Sequence, residues 1–573
     1  MDNSELARIF GEIADLLEIK GENAFKIRAY RSAAESIGDH PDPVAGLDPA
    51  ALRQLPGIGK ELAAKIRELV DTGRCTYHQE LLQAFPPTIL DLLRLQGVGP
   101  KTVALLYATL GIRSIDDLAT AARDGRLSGL KGMGPRKVAL ILKAIDERQQ
   151  DAGRQLLAHA AATAESIIGY LQEQVADVDL TPVGSLRRGC ETCGDIDLLA
   201  TGADATLMDR FVAYPGTERV LARGASKSSI RLPAGVQVDL RLVAPESRGA
   251  ALQYFTGSKA HNIAVRDLAV RRGLKLNEYG LYRVDTDERI AGDTEASIYE
   301  ALGMPWIDPA LREDRGELTW ALERRLPQLV SEDDLRGDLH MHTTETDGRD
   351  DLETLAAAAH ALGYQYVAIT EHSRALAMAG GLDEARALAH AARIRALNGR
   401  FEGLTLLAGI ECDILADGRL DLADDCLAQL DIVIASVHSQ MTQDPSQLTD
   451  RLLRAIDNPW VDVLGHPTAR RLLKRDAMRF DVDGVFGAAV RHGVALEINS
   501  QIERLDLCDT LARAARDRGA RIVISTDAHS TLELRNRRWG VQTARRAALS
   551  PDQVLNAQPL DVMRGLLRRH QGR

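Results

Sequence analysis

The chain has 573 residues, 45% hydrophobic and 27% charged. That composition excludes a wholly disordered protein and, at roughly 100–200 residues per domain, predicts several domains. It has no apolar run of about 18 residues, and its first stretch, MDNSELARIFGEIADLLEIKGEN, carries acids where a signal peptide is apolar, so neither a membrane span nor a leader is expected. Six cysteines make no disulfide framework, and a reducing cytoplasm is the expected location. The net charge of −11 argues against a nucleic-acid partner for the chain taken as a whole. The excess acid, however, falls in residues 151–573, whereas residues 1–150 are charge-balanced, and ten of the 14 histidines lie beyond residue 335.

Residues 1–150 read as short amphipathic helices punctuated by glycine turns. Three segments share one form: LPGIGKELAAKI (Leu55–Ile66), LQGVGPKTVALL (Leu95–Leu106) and LKGMGPRKVALIL (Leu130–Leu142). In each, a Gly-apolar-Gly turn leads into a helix. Glycine opens backbone conformations closed to other residues, and N–H groups at the start of the next helix can receive a phosphate oxygen. Gly57 and Gly59, Gly97 and Gly99, and Gly132 and Gly134 are therefore candidate phosphate contacts, with Lys101, Arg136 and Lys137 beside them. Such contacts carry no base information. Plain helix packing would explain one copy, but three copies favour phosphate binding. The pattern resembles helix-hairpin-helix DNA-binding elements.

The segment TPVGSLRRGCETCGDIDLLAT (181–201) places Asp195 and Asp197 two apart in a strand-like run, on one face. Asp239, in VQVDLRLV, could join them from a neighbouring strand. Three carboxylates suit hard divalent cations such as Mg²⁺, which activate an attacking hydroxyl and stabilise a leaving pyrophosphate. Gly184 and Ser185 offer turn donors for a triphosphate, and Arg187 and Arg188 follow with groups suited to phosphate. Asp-x-Asp alone is common in turns; the combination points to nucleotidyl transfer. Cys190 and Cys193 have no second pair nearby and read as small turn residues rather than a zinc site.

GSLRRG…GDID, VDLR and QYFTGSKAHNIAVRDLAVRRGLKLNEYGL together resemble the family X DNA polymerases, the group of DNA polymerase beta, over about residues 1–318. The resemblance implies that Asp195, Asp197 and Asp239 hold Mg²⁺ or Mn²⁺. It implies that Ser185, Arg188 and Gly194, with Arg154, meet the triphosphate, and that Tyr254, Phe255, Gly257, Asn262 and Arg266 surround the incoming nucleotide and template base. By itself Lys65 reads as a solvated helix lysine. The resemblance places it at a lyase nucleophile position, with Lys26 and Tyr30 supporting it. Two departures stand out: Glu61 replaces a lysine of that lyase pocket, and Cys193 replaces a triphosphate-binding serine.

Beyond residue 336, seven apolar runs alternate with Ala/Leu/Arg-rich helical stretches, which suggests parallel β/α architecture. Most runs end in a polar cluster: LRGDLHMHT, YQYVAITEHS, LTLLAGIECDI, DIVIASVHS, VDVLGHP, GVALEINS and ARIVISTDAHS. In a β/α barrel such ends converge on one face. The clusters supply His340, His342, His372, Glu411, His438, His466, Asp527 and His529, and Asp347 follows in a loop. Mixed imidazole and carboxylate ligands suit Zn²⁺ or Mn²⁺, and nine could serve three ions that activate water against a phosphate ester. This part resembles the polymerase-and-histidinol-phosphatase (PHP) domain, which implies 3′-5′ exonuclease activity, 3′-end cleaning and abasic-site cleavage. Glu497 and Asn499, also at a strand end, match no ligand position.

The expectation is a multidomain chain. A helix-hairpin-helix region spans 1–85 (lyase-like) and 86–150, an α+β nucleotidyltransferase palm 151–246, and a nucleotide- and template-binding thumb 247–318 that reads as helix and turns. An acidic linker follows at 319–335, and a distorted β/α barrel at 336–573. The expected function is a monomeric repair polymerase that fills short gaps in DNA from dNTPs, with an attached metal-dependent nuclease and no membrane partner. The alternatives are a nuclease with weak polymerase activity or a DNA-end-binding scaffold.

Overall fold

The computed structural model describes residues 3–38, 44–55, 57–86, 88–93, 95, 98–127, 129–130, 132–135, 137–142, 145 and 154–570. It forms two compact units, Met1–Ala152 and Gly153–Arg573.

The described part of the first unit is helical. Its main helices are α1 (Asn3–Lys20), α2 (Ala24–Gly38), α3 (Lys60–Thr72), α4 (Thr76–Ala84), α5 (Pro100–Leu110) and α6 (Ile115–Arg123). Leu6, Phe10, Ile13 and Leu17 recur at helical spacing on α1 and are fully buried, so one face of that helix carries much of this unit's core. A capping box between Ser114 and Asp117 starts α6.

The second unit opens with α7 (Leu157–Gln174), whose Ala160, Ala164, Ile167 and Leu171 pack on a five-stranded sheet. The strands are β1 (Asp179–Pro182), β2 (Asp195–Thr201), β3 (Arg219–Ala222), β4 (Lys227–Arg231) and β5 (Gln237–Leu242), in the order β1-β2-β5-β4-β3. Only β2 and β5 run parallel. The short helix α8 (Gly184–Arg187) precedes β2. Next come α9 (Arg248–Thr256) and α10 (Lys259–Arg271), then a three-stranded antiparallel sheet of β6 (Leu274–Asn277), β7 (Gly280–Arg283) and β8 (Arg289–Ala291), and α11 (Glu295–Ala301). The sequence reading saw only helix and turns here. Strands of three or four residues are too short to show a two-residue period.

Seven parallel strands then pair in chain order: β9 (Gly337–Asp338), β10 (Tyr366–Ile369), β11 (Thr405–Asp413), β12 (Ile432–Ser436), β13 (Val463–Leu464), β14 (Ala495–Asn499) and β15 (Ile522–Ser525). They coincide with the seven apolar runs. A bridge between Met341 and Ala528 brings the first and last strands together, giving a nearly closed barrel. The acidic linker is less independent than its composition suggests. Val330 and Leu335 bury into the barrel core, and the Val330 N–H donates to the Leu549 carbonyl at 2.9 Å.

A buried ion pair joins palm to thumb. Glu295, on α11, receives both guanidinium nitrogens of Arg187 at 2.8 and 2.7 Å and Nη1 of the fully buried Arg312 at 2.7 Å. Burial alone would raise its carboxyl, but these arginines hold it down to about 2. Arg187 is thus engaged structurally rather than offered to phosphate. Glu295→Ala is expected to cost about 3–5 kcal/mol, because it leaves Arg312 buried without a counter-charge; chemical unfolding of the full chain measures this. The unfolded carboxyl titrates near its ordinary value and the folded one near 2. The pair's stabilisation is therefore complete above the ordinary value and lost as pH falls toward about 2.

Candidate active sites

The polymerase-type residues come together as the strand pattern predicts. Asp195 and Asp197 lie on β2, and parallel pairing sets Asp197 directly across from Asp239 on β5. Burial, then the charges of Asp195 and Asp239, push the Asp197 carboxyl up to about 6. Asp239 goes the other way: against the effect of burial, hydrogen bonds from Lys227, Ser229 and Gln237 lower it, with Lys227 Nζ 2.9 Å from Oδ2. Like charges this close ask for a cation, and Lys227 supplies part of one. Gly184 is required beside them. Its φ is +64°, and a Cβ there would stand 2.7 Å from Asp197 Oδ2.

Ser185 lies on α8, and Cys193 is buried. Arg188 donates from Nη1 to the Thr256 carbonyl at 2.6 Å and from Nε to Glu313 at 2.9 Å. Arg154 donates to the hydroxyl and carbonyl of Thr192 and reaches Gly194, where a Cβ would lie 3.5 Å from its Nη1. Tyr254 and Phe255 end α9, ring to ring at 5.1 Å, and Arg241 lies over Phe255 at 4.4 Å. Gly257 follows at φ +70°. Asn262 donates to the Tyr254 carbonyl at 2.7 Å, and Arg266 is exposed one turn further along α10.

In the helical unit, Gly57 and Gly132 adopt φ of +75° and +83°. Gly59 and Gly99 begin α3 and α5 without a side-chain cap, leaving the first N–H groups for another acceptor, and Gly134 precedes the third hairpin helix. Gly97 and Arg136 lie outside the described residues. Lys26 and Lys65 both stand over the Tyr77 ring, at 4.8 and 5.1 Å, and Tyr30 stacks on that ring. Glu61, the departure noted in the sequence, binds Lys65 Nζ at 2.6 Å.

The barrel gathers all nine expected ligands at the strand ends. Glu411 lies 2.8 Å from His372 Nδ1 and His466 Nε2, 3.4 Å from His438 and 3.5 Å from His340. Asp527 lies 3.2 Å from His342 and 3.6 Å from His340, and Asp347 is 3.4–3.5 Å from His372 and His529. These side chains make three overlapping groups: His342, Asp347, His372, His529; His340, His342, Asp527; and His372, Glu411, His438. Although burial opposes it, neighbouring imidazoles hold the carboxyls of Glu411 and Asp527 well below the usual range. Likewise Glu497, Asp527 and Glu411 raise His340 well above its usual value, whereas burial and then His372 and His529 lower His342 to about 4.

A metal fits this donor set. His340 Nε2, both ring nitrogens of His342, His372 Nδ1, Glu411 Oε2 and Asp527 Oδ1 are buried and crowd together without an aligned hydrogen bond, which is costly unless a cation takes them. The sequence gives no role to the groups that aim these ligands, although Glu497 and Asn499 stand out in it as strand-end residues. Glu497 accepts from His340 Nδ1 at 2.8 Å and from the His466 N–H at 2.6 Å; Asn499 donates to Asp527 at 2.9 Å; Asp413 lies 3.3 Å from His438 Nδ1. Carboxylates behind metal-binding imidazoles fix the ring and its tautomer. Their one sequence signal was position at a strand end, which Glu497 and Asn499 shared with the ligands.

A three-carboxylate palm with a thumb, followed by a barrel whose strand ends carry imidazole and carboxylate ligands, defines a nucleotidyltransferase joined to a metal-dependent phosphoesterase. Comparison with known families agrees. Residues 1–75 match the helix-hairpin-helix domain, 89–147 the SAM-like helix-hairpin-helix tandem, 158–226 the DNA polymerase beta palm, 251–313 the DNA polymerase beta thumb, and 338–524 the PHP domain. The chain is 35% identical over 573 residues to the DNA polymerase/3′-5′ exonuclease PolX of Bacillus subtilis (strain 168), covering 100% of both chains. It is 26% identical over 334 residues to DNA polymerase lambda of Rattus norvegicus, 52% of this chain and 54% of that one. It is 32% identical over 242 residues to a probable phosphatase of Edwardsiella ictaluri, 40% of this chain and 94% of that one. The chain belongs to the family X DNA polymerases that carry a PHP domain, the family of PolX.

Metal-stripped protein is expected to gain thermal stability on adding Mn²⁺ or Zn²⁺, by about 2.7 kcal/mol per site at 100 times the Kd. The His340→Ala/His342→Ala variant should lose most of that gain in a melting experiment.

Proposed function

We propose that this chain is a DNA polymerase that adds dNTPs at short gaps during DNA repair, and that its barrel removes nucleotides from 3′ ends. The observation that carries this reading is the presence of both sites in one chain: Asp197 in register with Asp239 beside Asp195, and the cluster of eight possible ligands in the barrel, with His466 against its Glu411. The alignment to a polymerase/3′-5′ exonuclease over its whole length supports joining the two activities. No described helix is long and apolar enough to cross a membrane.

At the palm, Asp195, Asp197 and Asp239 would hold Mg²⁺ or Mn²⁺. Ions there supply Lewis-acid polarisation of the phosphate and a more acidic attacking hydroxyl. Ser185, Arg188 and Gly194, around the α8 turn, and Arg154, which packs against Thr192, present hydroxyl, guanidinium and backbone groups that suit the triphosphate. Tyr254, Phe255, Gly257, Asn262 and Arg266 line the helix ends where base and sugar would lie. At the barrel, Asp347, Glu411, Asp527 and the six histidines would hold up to three Zn²⁺ or Mn²⁺ ions. Burial of the cluster excludes bulk water, while Glu497, Asn499 and Asp413 keep ligands aimed. Abasic-site cleavage uses the same phosphodiester chemistry and belongs to this proposal, as does action as a monomer. The three hairpins would grip DNA by its phosphates.

The decisive assay uses gapped DNA, dNTPs and Mg²⁺ or Mn²⁺. Asp195→Ala/Asp197→Ala is expected to lose extension by at least about 100-fold while degradation persists. His340→Ala/His342→Ala should lose degradation and keep extension. Extension that survives the first variant sinks the polymerase assignment; DNA binding with neither activity in the wild type would favour a scaffold. Lyase chemistry at Lys65 is read separately by borohydride trapping on an incised abasic site. Glu61→Ala is expected to raise the trapped adduct over wild type by freeing the amine, and Lys65→Ala to remove it.

A further inference from the structure

The turn after α8, Arg188–Glu191, is held from outside the polymerase core. Arg546, almost fully buried on the barrel, donates from Nη1 to Glu313 Oε1 at 2.9 Å and to the Arg188 carbonyl at 2.9 Å. Its Nη2 is anchored on the barrel's own Asp509 at 2.8 Å. Gln542 reaches the same Arg188 carbonyl at 3.4 Å, and Gly189 packs so closely on it that a Cβ would lie 2.1 Å from its Nε2. A second grip lies three residues on from Arg188, where Arg470 forks onto Glu191 at 2.7 and 3.1 Å.

Glu313 is the shared point. Its Oε1 takes Arg188 Nε at 2.9 Å as well as Arg546. With Arg188 alone, the pair would be neutral and the carboxylate would hold the guanidinium away from an incoming anion. With Arg546 present, and Asp509 taking Arg315 at 2.9 Å as well as Arg546, three guanidiniums share two carboxylates, so a net positive charge remains on the network that includes Arg188. The barrel arginine therefore does two things to the loop: it fixes the Arg188 backbone and offsets the charge that competes for the Arg188 side chain.

We propose that Arg546 of the PHP barrel is a positioning residue of the polymerase site, holding Arg188 and its loop in the form that receives the dNTP triphosphate. This rests on the reading of Arg188 as a triphosphate contact. The barrel would thus tune nucleotide affinity without touching the nucleotide, and independently of its own phosphoesterase chemistry.

Steady-state filling of a one-nucleotide gap by the full chain, with dNTP titrated, tests it. Arg546→Ala is expected to raise the dNTP KM about tenfold, with a much smaller change in kcat. Degradation of single-stranded DNA from its 3′ end should stay within about twofold of wild type, since the metal cluster is untouched. Arg546→Lys, which keeps the charge but not the fork, should fall between. The discriminating measurement is the Glu313→Gln background. With the competing charge gone, adding Arg546→Ala should raise KM far less than it does alone, whereas a role in general stability would give the same loss in both backgrounds and overturn the proposal. Arg188→Ala separates the two levels. If it leaves the dNTP KM unchanged, the triphosphate reading fails; if it raises KM while Arg546→Ala does not, the positioning proposal fails by itself. Should Arg546→Ala lose both activities through misfolding, Arg546→Lys and Gln542→Ala carry the test, and an unchanged dNTP KM in both overturns it.

Discussion

Several charges of the second unit are buried where opposite charges meet them, and that constraint organises its interior. Glu295 lies inside because Arg187 and Arg312 meet it; Glu313 because Arg188 and Arg546 do. Glu411 lies fully buried at the centre of four histidines. The first two are closed by protein alone and fasten palm to thumb and palm to barrel. The third gathers imidazole and carboxylate donors of the kind that hold a cation.

The same constraint separates the two catalytic centres. In the palm, carboxylates crowd one another: Asp197 is pushed up to about 6 while Lys227 keeps Asp239 ionised. That is an acidic nest, suited to hard cations held by oxygen. In the barrel, imidazoles and carboxylates interleave, and the carboxyls are driven down rather than up. That mixture suits Zn²⁺ or Mn²⁺. The strand order serves each. A single parallel pair brings Asp239 level with Asp197, and parallel pairing in chain order sends the barrel's strand ends to one face.

Contacts of palm and thumb with the barrel are built mostly from arginine on the barrel side: Arg470 to Glu191, Arg546 to Glu313, and Arg545 to Asp308. Planar guanidinium forks fix orientation as well as distance. A flexible tether would need no such forks, and the linker itself is seated in the barrel core at Val330 and Leu335. The net charge of −11 hid this. It sums a charge-balanced helical unit with acids that are consumed by buried arginines or reserved for cations.

By itself the sequence determined which residues the fold would bring together as candidate ligands. Asp195 and Asp197 sit two apart on a strand, and the barrel ligands each follow an apolar run, so local period and strand ends were enough to find them. The first glycines of two of the turns, Gly57 and Gly132, were legible for the same reason, since their positive φ is a local demand. The tertiary structure alone decided what each neighbouring arginine does. Arg187 and Arg188 are adjacent, yet one closes on Glu295 and the other meets Glu313. It also chose Glu497 to orient His340 from 157 residues away, and Arg546 to reach Glu313 across 233. Such pairings join residues that only the packed fold makes neighbours, and no periodicity along the chain records them.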